Sequence, residues 1–172
     1  MWQRTPTRST LRFVMQFLED NQIAEWYSEH ALPPSNSIGQ AIVMKRLFGQ
    51  SVDPPGQEAD ITAAAVEALG HWEECLLWIK QWGVWPSSED WPRYYAERGA
   101  QGERRSLEIA PGHLFAAAER GLLLRFLQLI LENAWEAEAY AVAGGTPNGR
   151  RLFISHDEFI EISNFSASPP AV

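Results

Sequence analysis

The sequence predicts an α+β domain, with about five helices packed against a small C-terminal antiparallel sheet of two or three strands. Apolar residues recur at helical spacing over most of the first 133 positions. After residue 137 the pattern changes to short β-rich runs, separated by a link that contains glycine and Asn-Gly. Helices and strands that are segregated along a chain favour this class over a wound parallel sheet.

Five segments carry the helical pattern, each bounded by capping or helix-ending residues. They run from 9 or 10 to 29, 35 or 37 to 49, 60 or 62 to 82, 87 or 88 to 99, and 111–113 to 133. The third segment has the clearest stripe, formed by Ile61, Ala65, Trp72, Leu76 and Ile79. A second apolar strip beside it predicts a central helix that packs on two neighbours or keeps one strip for a partner.

The C-terminal part predicts a hairpin, in which residues 140–143 pair with 151–155. Residues 159–162, "FIEI", form a third strand. The small, polar and proline-ended residues 164–172 form a loose tail. Residues 1–163 are therefore expected to form a single globular domain, because no long linker divides them.

Composition narrows the classes of function. The chain has 172 residues, 45% apolar and 21% charged, with one cysteine, so neither an internal disulfide nor a cysteine-rich zinc site is expected. The net charge is −8, and residues 51–100 hold nine acids and three bases, which argues against binding to nucleic acid. No apolar run is long enough for a membrane span or a signal peptide, so we expect a cytoplasmic protein of bacterial type.

Residues 151–162, "RLFISHDEFIEI", combine residue types found in hydrolytic and metal sites. Ser155, His156 and Asp157 are adjacent, and neighbours on a strand point to opposite faces, so they do not make a triad. His156 and Glu158 share a face if the chain is extended, but zinc needs more ligands, which His113, His71 or His30 would have to supply. The S-x-x-E spacing of Ser155 and Glu158 favours a capping box that reverses the chain. A partner-binding loop is the remaining alternative.

Tryptophan is the unusual feature of the composition, with eight in the chain and five between residues 72 and 91. Trp72 is expected in the core, while Trp78, Trp82, Trp85 and Trp91 suit either a core or an exposed groove. Exposed indoles beside acids would form an aromatic, acidic surface that suits a basic partner. The acids in question are Glu73, Glu74, Glu89 and Asp90.

These observations favour a non-enzymatic, tryptophan-rich protein-binding module. Its most concrete version is an acidic neutraliser of a basic toxin or nuclease, similar in role to an inhibitor or immunity protein. No cofactor and no metal are expected, and the sequence does not specify an oligomeric state. The competing hypothesis is a metal-dependent or hydrolytic enzyme centred on His156, Asp157 and Glu158, with His113 brought alongside.

Overall fold

A computed structural model describes residues 15–32, 41–45, 57–82, 91–133, 135–144, 148–156 and 159–166. These residues form one antiparallel sheet of seven strands, four α-helices and a short 3₁₀ turn at 117–119. In chain order the elements are β1 (Gln16–Leu18), α1 (Asp20–Glu29), β2 (Ala41–Lys45), α2 (Gln57–Ala68), β3 (Glu74–Gln81), α3 (Trp91–Ala100), β4 (Gly112–Ala116), α4 (Arg120–Glu132), β5 (Glu136–Val142), β6 (Asn148–Ile154) and β7 (Phe159–Ser166). Across the sheet the order is β1-β4-β3-β5-β6-β7-β2.

The predicted fold class is wrong in its proportions. About five helices with a C-terminal sheet of two or three strands were expected, whereas the sheet has seven strands drawn from the whole chain. The predicted hairpin is present as β5 and β6, in which Tyr140 pairs with Arg151. The third strand is β7, and it continues to Ser166, beyond the predicted start of the tail.

The largest error falls on the predicted third helix, which is α2 followed by strand β3. Gly70 has a positive φ of 72°, and this left-handed conformation ends the helix. Arg120 then caps the helix end by donating to the carbonyls of Val66 and Gly70. Strand β3 is buried on both faces, so it lacks the alternation by which a half-buried strand is recognised.

Three other predicted helices contain strands. Residues 41–45 form β2 and pair with β7, while the rest of the predicted second helix lies outside the described residues. Residues 112–116 form β4, and the fifth helix begins only at Arg120. The Glu119 carboxylate marks the boundary by accepting from the backbone N–H groups of Ala116 and Met15. In the first predicted helix, residues 16–18 are strand β1, and the helix covers residues 20–29.

One face of the sheet packs against helices α2, α3 and α4. Its side chains come from alternate positions of the central strands, including Leu77, Ala139 and Leu152, which are aligned across β3, β5 and β6. All three are buried in a core that the helices complete with residues such as Leu69 and Phe126. Burial of this face supplies most of the apolar contacts of the fold.

The opposite face packs against α1. Ile23 and Trp26 of this helix are buried with Leu76 of β3 and Val142 of β5. The helix approaches the sheet closely at Gly112, where an added Cβ would lie 2.9 Å from Ile23 Cδ1. None of the helices in the described part of the chain has the length and apolar character needed to cross a membrane.

The close approach at Gly112 predicts a packing cost. Gly112→Ala should lower the free energy of unfolding by about 1–3 kcal/mol, because the added methyl group pushes α1 away from β4. Urea unfolding measures the difference.

Gly121→Ala is the matched control, since nothing lies within 4 Å of a Cβ built there. Alanine favours a helix over glycine by up to about 1 kcal/mol, so this variant should equal or exceed the parent in stability. Equal stability of the Gly112 variant and the parent would contradict the close contact.

Candidate functional site

A charged cluster lies on the α1 side of the sheet. Strand pairing places Glu138 and Tyr140 of β5 beside Arg151 of β6 and Glu161 of β7, while Lys80 extends from β3. We call these five residues the sheet-face cluster. Charged side chains are seldom fully buried unless they are paired, so this group marks the sheet face as a candidate site.

Glu138 holds the cluster together. Its Oε1 atom accepts a hydrogen bond from Arg151 at 2.5 Å, and its Oε2 atom accepts one from the Tyr140 hydroxyl at 2.5 Å. Lys80 Nζ lies 3.5 Å from the same Oε2 atom. Arg151 also reaches Glu161 at 3.5 Å, so the guanidinium joins two strands.

Burial and the neighbouring charges shift the pKa values of Glu138 and Lys80 in opposite directions. Burial alone would raise the pKa of Glu138, but hydrogen bonds from Arg151 and Tyr140 outweigh it, and the pKa is lowered. For Lys80, burial lowers the pKa, although the charge of Glu138 opposes that shift. Burial and the charge of Glu138 raise the pKa of Tyr140. The carboxylate is therefore ionised at neutral pH and the phenol is neutral.

Two polar atoms at the cluster lack hydrogen bonds. Arg151 Nε and Ser163 Oγ are buried, and neither atom forms a hydrogen bond with the described residues. Arg151 and Ser163 are directly opposite each other on β6 and β7, so their side chains share this face. Buried polar groups nearly always have partners, so these two donors require explanation.

The rim of the cluster is aromatic and half-buried. Trp78 and Phe153 lie on the same sheet face, with Lys80 Nζ 2.9 Å from the Trp78 ring centroid and the Arg151 guanidinium 5.0 Å from that of Phe153. The Tyr27 ring of α1 contacts Trp78 and Tyr140 edge-on, at 5.9 and 4.8 Å. The cluster is therefore continuous with α1.

A second candidate surface is acidic and lies where α1 meets the start of β3. Glu25 and Glu29 are exposed on α1, a helix without lysine or arginine, and Glu73 is exposed just before β3. Glu74 accepts a hydrogen bond from the Trp26 indole at 3.0 Å and lies 3.6 Å from His30 Nε2. We call Glu25, Glu29, Glu73 and Glu74 the acidic edge.

The tryptophans of the predicted partner surface are divided between the two faces of the sheet. Trp72 is buried, as expected. Trp78 lies on the α1 side, whereas Trp82 and Trp91 are half-buried against the core on the helical side. Trp91 also stacks on Tyr95 at 5.8 Å. Trp85, Glu89 and Asp90 lie outside the described residues, and the site as a whole remains a prediction.

His113, named for the alternative site, lies in the core. Its Nε2 atom is 2.7 Å from the Tyr94 hydroxyl and 3.2 Å from Arg98 NH1, and its Nδ1 atom is 3.1 Å from the Pro111 carbonyl. These partners suit the tautomer that donates from Nδ1 and accepts at Nε2. Burial, reinforced by the Arg98 charge, lowers the pKa of His113 to about 3, so the ring is neutral.

His156 lies apart from His113. Strands β3 and β5 separate β4, which carries His113, from β6, which leads to His156. His156 Nδ1 instead contacts Glu136 Oε2 at 3.1 Å, while Asp157 and Glu158 lie outside the described residues. Among the residues that the structure describes, no three His, Cys, Asp or Glu side chains are grouped as metal ligands.

The single cysteine lies in the core on the helical side of the sheet. Cys75 is fully buried and its thiol is not bonded to another cysteine. Burial raises the pKa of this thiol far above its usual value, so the thiolate needed for a nucleophile does not form at neutral pH.

The sequence contained a partial signal for the sheet-face cluster. Glu136 and Glu138 are two residues apart in the sequence, a spacing that places both carboxylates on one face of β5. Arg151 lies in the predicted hairpin, where alternation places it on the face of Tyr140. Lys80 gave no usable signal, because its segment was assigned to a helix.

Comparisons with protein-family models, curated proteins and solved structures find no match to this chain.

The buried ion pair between Glu138 and Arg151 predicts that removing the carboxylate charge strongly lowers stability. Glu138→Gln should lower the free energy of unfolding by about 3–5 kcal/mol at neutral pH, because it leaves the Arg151 charge buried without its carboxylate. The deficit should shrink as the pH falls below 4.5 towards the lowered pKa of Glu138, since the parent then loses the same charge. Urea unfolding across this range measures it.

A double variant, Glu138→Leu with Arg151→Met, removes both charges and serves as the control. It should recover most of the lost stability, because an apolar pair avoids the desolvation cost. A double variant as unstable as the single one would contradict this account of the pair.

The His113 network predicts a pH dependence that ring ¹⁵N NMR can follow. The ring should remain neutral well below 6.5 and titrate near 3. Because the folded state favours the neutral ring, its stability contribution is complete above 6.5 and declines as the pH falls towards 3. A titration midpoint near 6.5 would contradict the buried network.

Proposed function

We propose that this protein is a non-enzymatic binding module that engages a basic protein through the acidic edge. The supporting observation is the lack of compensating charge: no Lys or Arg side chain in the described residues forms an ion pair with Glu25, Glu29, Glu73 or Glu74. On the helical side, by contrast, Glu97 and Glu132 pair with Arg125 and Arg93.

Uncompensated carboxylates make the local electrostatic potential more negative and repel one another. Glu25 and Glu29 are four residues apart on α1, a spacing at which like charges destabilise a helix. Complementary charge on a partner would relieve this repulsion and accelerate association. The more specific version of the proposal is a neutraliser of a basic toxin or nuclease, which rests on charge and size as an analogy.

The first test is charge reversal. Proteins retained by the immobilised chain from its source cells would be identified, and a purified basic candidate titrated calorimetrically. Glu25→Lys with Glu29→Lys should weaken binding by about tenfold or more and slow association at low salt, because two favourable contacts become repulsive.

Asp60→Lys with Glu67→Lys provides the matched control. Both residues are exposed on α2, which lies on the other side of the sheet, and the change in net charge is identical. This control should bind like the parent. Equal affinity of the parent and the α1 variant for the partner would reject the acidic edge as the binding site. Stoichiometric zinc, manganese or iron in the purified protein would favour the enzyme hypothesis.

A further inference from the structure

Among the side chains that the structure describes, the sheet-face cluster and the adjacent Glu136 place three carboxylates against two cations. Glu136, Glu138 and Glu161 lie on this face with Lys80 and Arg151 as the bases. The Glu136 and Glu161 side chains remain 26% and 28% exposed, so both can approach an incoming group. The face is therefore complementary to a single cation.

The two buried donors without hydrogen bonds indicate which chemical group can bind beside that cation. Arg151 Nε can only donate and Ser163 Oγ can also donate, so one acceptor group can satisfy both atoms. Glu138 and Glu161 flank the same guanidinium and would repel an anion. A neutral carbonyl, such as that of a peptide group, meets both requirements.

We propose that the sheet-face cluster binds one lysine or arginine side chain of a protein partner, together with a neighbouring backbone carbonyl. The cation pairs with Glu161 and Glu136 between the rings of Trp78 and Phe153, and the carbonyl accepts from Arg151 Nε and Ser163 Oγ. This inference rests on the proposed function and specifies a contact for the same basic partner. Tyr27 connects the two surfaces, because it lies on α1 and contacts Trp78.

Access to the two donors requires movement of the rim. Both donor atoms are buried, whereas Trp78, Phe153 and Glu161 beside them are half-buried. Partly exposed side chains change rotamer rapidly, and rearrangement of interface rotamers on binding is common. Aromatic and arginine side chains at such a position are the residues that most often dominate binding energy.

The test uses three probes and ¹⁵N NMR of the full chain, observing the Arg151 Nε–H and Trp78 indole N–H resonances. The peptide acetyl-Gly-Arg-Gly-amide should shift both resonances saturably. The same peptide with citrulline in place of arginine keeps the shape without the charge and should bind more weakly. Inorganic phosphate should leave both resonances unmoved.

Two variants test the assigned contacts. Glu161→Gln and Ser163→Ala should each weaken binding of the arginine peptide by about two- to fivefold, the size expected for a half-exposed ion pair or a single hydrogen bond. Ser163→Ala removes a hydroxyl that has no partner, so it should fold at least as stably as the parent. Glu67→Gln on α2 is the control and should bind like the parent.

The inference is overturned if the arginine peptide leaves the Arg151 Nε–H resonance unmoved, if phosphate shifts it instead, or if Ser163→Ala binds the peptide unchanged. In the first case internal water satisfies the donors. Failure here is distinguishable from failure of the proposed function. If the α1 variant loses partner binding but the arginine peptide does not shift the resonances, only this contact is rejected. If the peptide binds but the α1 variant keeps its affinity for the partner, only the acidic edge is rejected.

Discussion

Strand β3 has apolar side chains on both of its faces, so the sheet needs a cover on each side. Cys75, Leu76 and Leu77 are consecutive and fully buried, and no single layer can bury consecutive positions of a strand. Helices α2, α3 and α4 cover one side, and α1 covers part of the other. The charged cluster lies on the side that α1 alone covers among the described helices, where β5, β6 and β7 extend beyond the apolar contacts of α1. The two candidate surfaces therefore follow from the way β3 is buried.

The ion pair between Glu138 and Arg151 has little value as a source of stability. Removing two charges from water costs several kcal/mol, and apolar side chains of similar volume usually do as well or better. The desolvation cost of this ion pair has a functional reason if the charges also bind a partner. Half-buried charges at an interface determine how the partner is aligned and which groups it must carry. The internal partners hold the side chains in place, so the proposed contact would cost less conformational freedom.

The sequence predicted the elements whose signals are local. The short β-rich runs at 140–143 and 151–155, together with a glycine- and asparagine-containing link, identified the hairpin, and the long stripe of α4 identified a helix. Prediction failed where burial depends on distant segments. Strand β3 resembles a helix because both faces are apolar, and His113 resembles a free ligand because Arg98 and Tyr94, its partners, lie 15 and 19 residues away. Of the four residues of the acidic edge, the sequence predicted Glu73 and Glu74 as part of an acidic surface. It did not predict Glu25 and Glu29, because their position beside the other two depends on the packing of α1 against β3.

Cys75 makes the protein well suited to site-specific chemistry. The chain has no other cysteine, and this thiol is sealed beneath the helices and held in its protonated form. Maleimide reagents attack accessible thiolates, so the native chain should remain unmodified while it is folded. A cysteine introduced at an exposed position of α1 would then carry a fluorophore or a crosslinker as the sole reactive group.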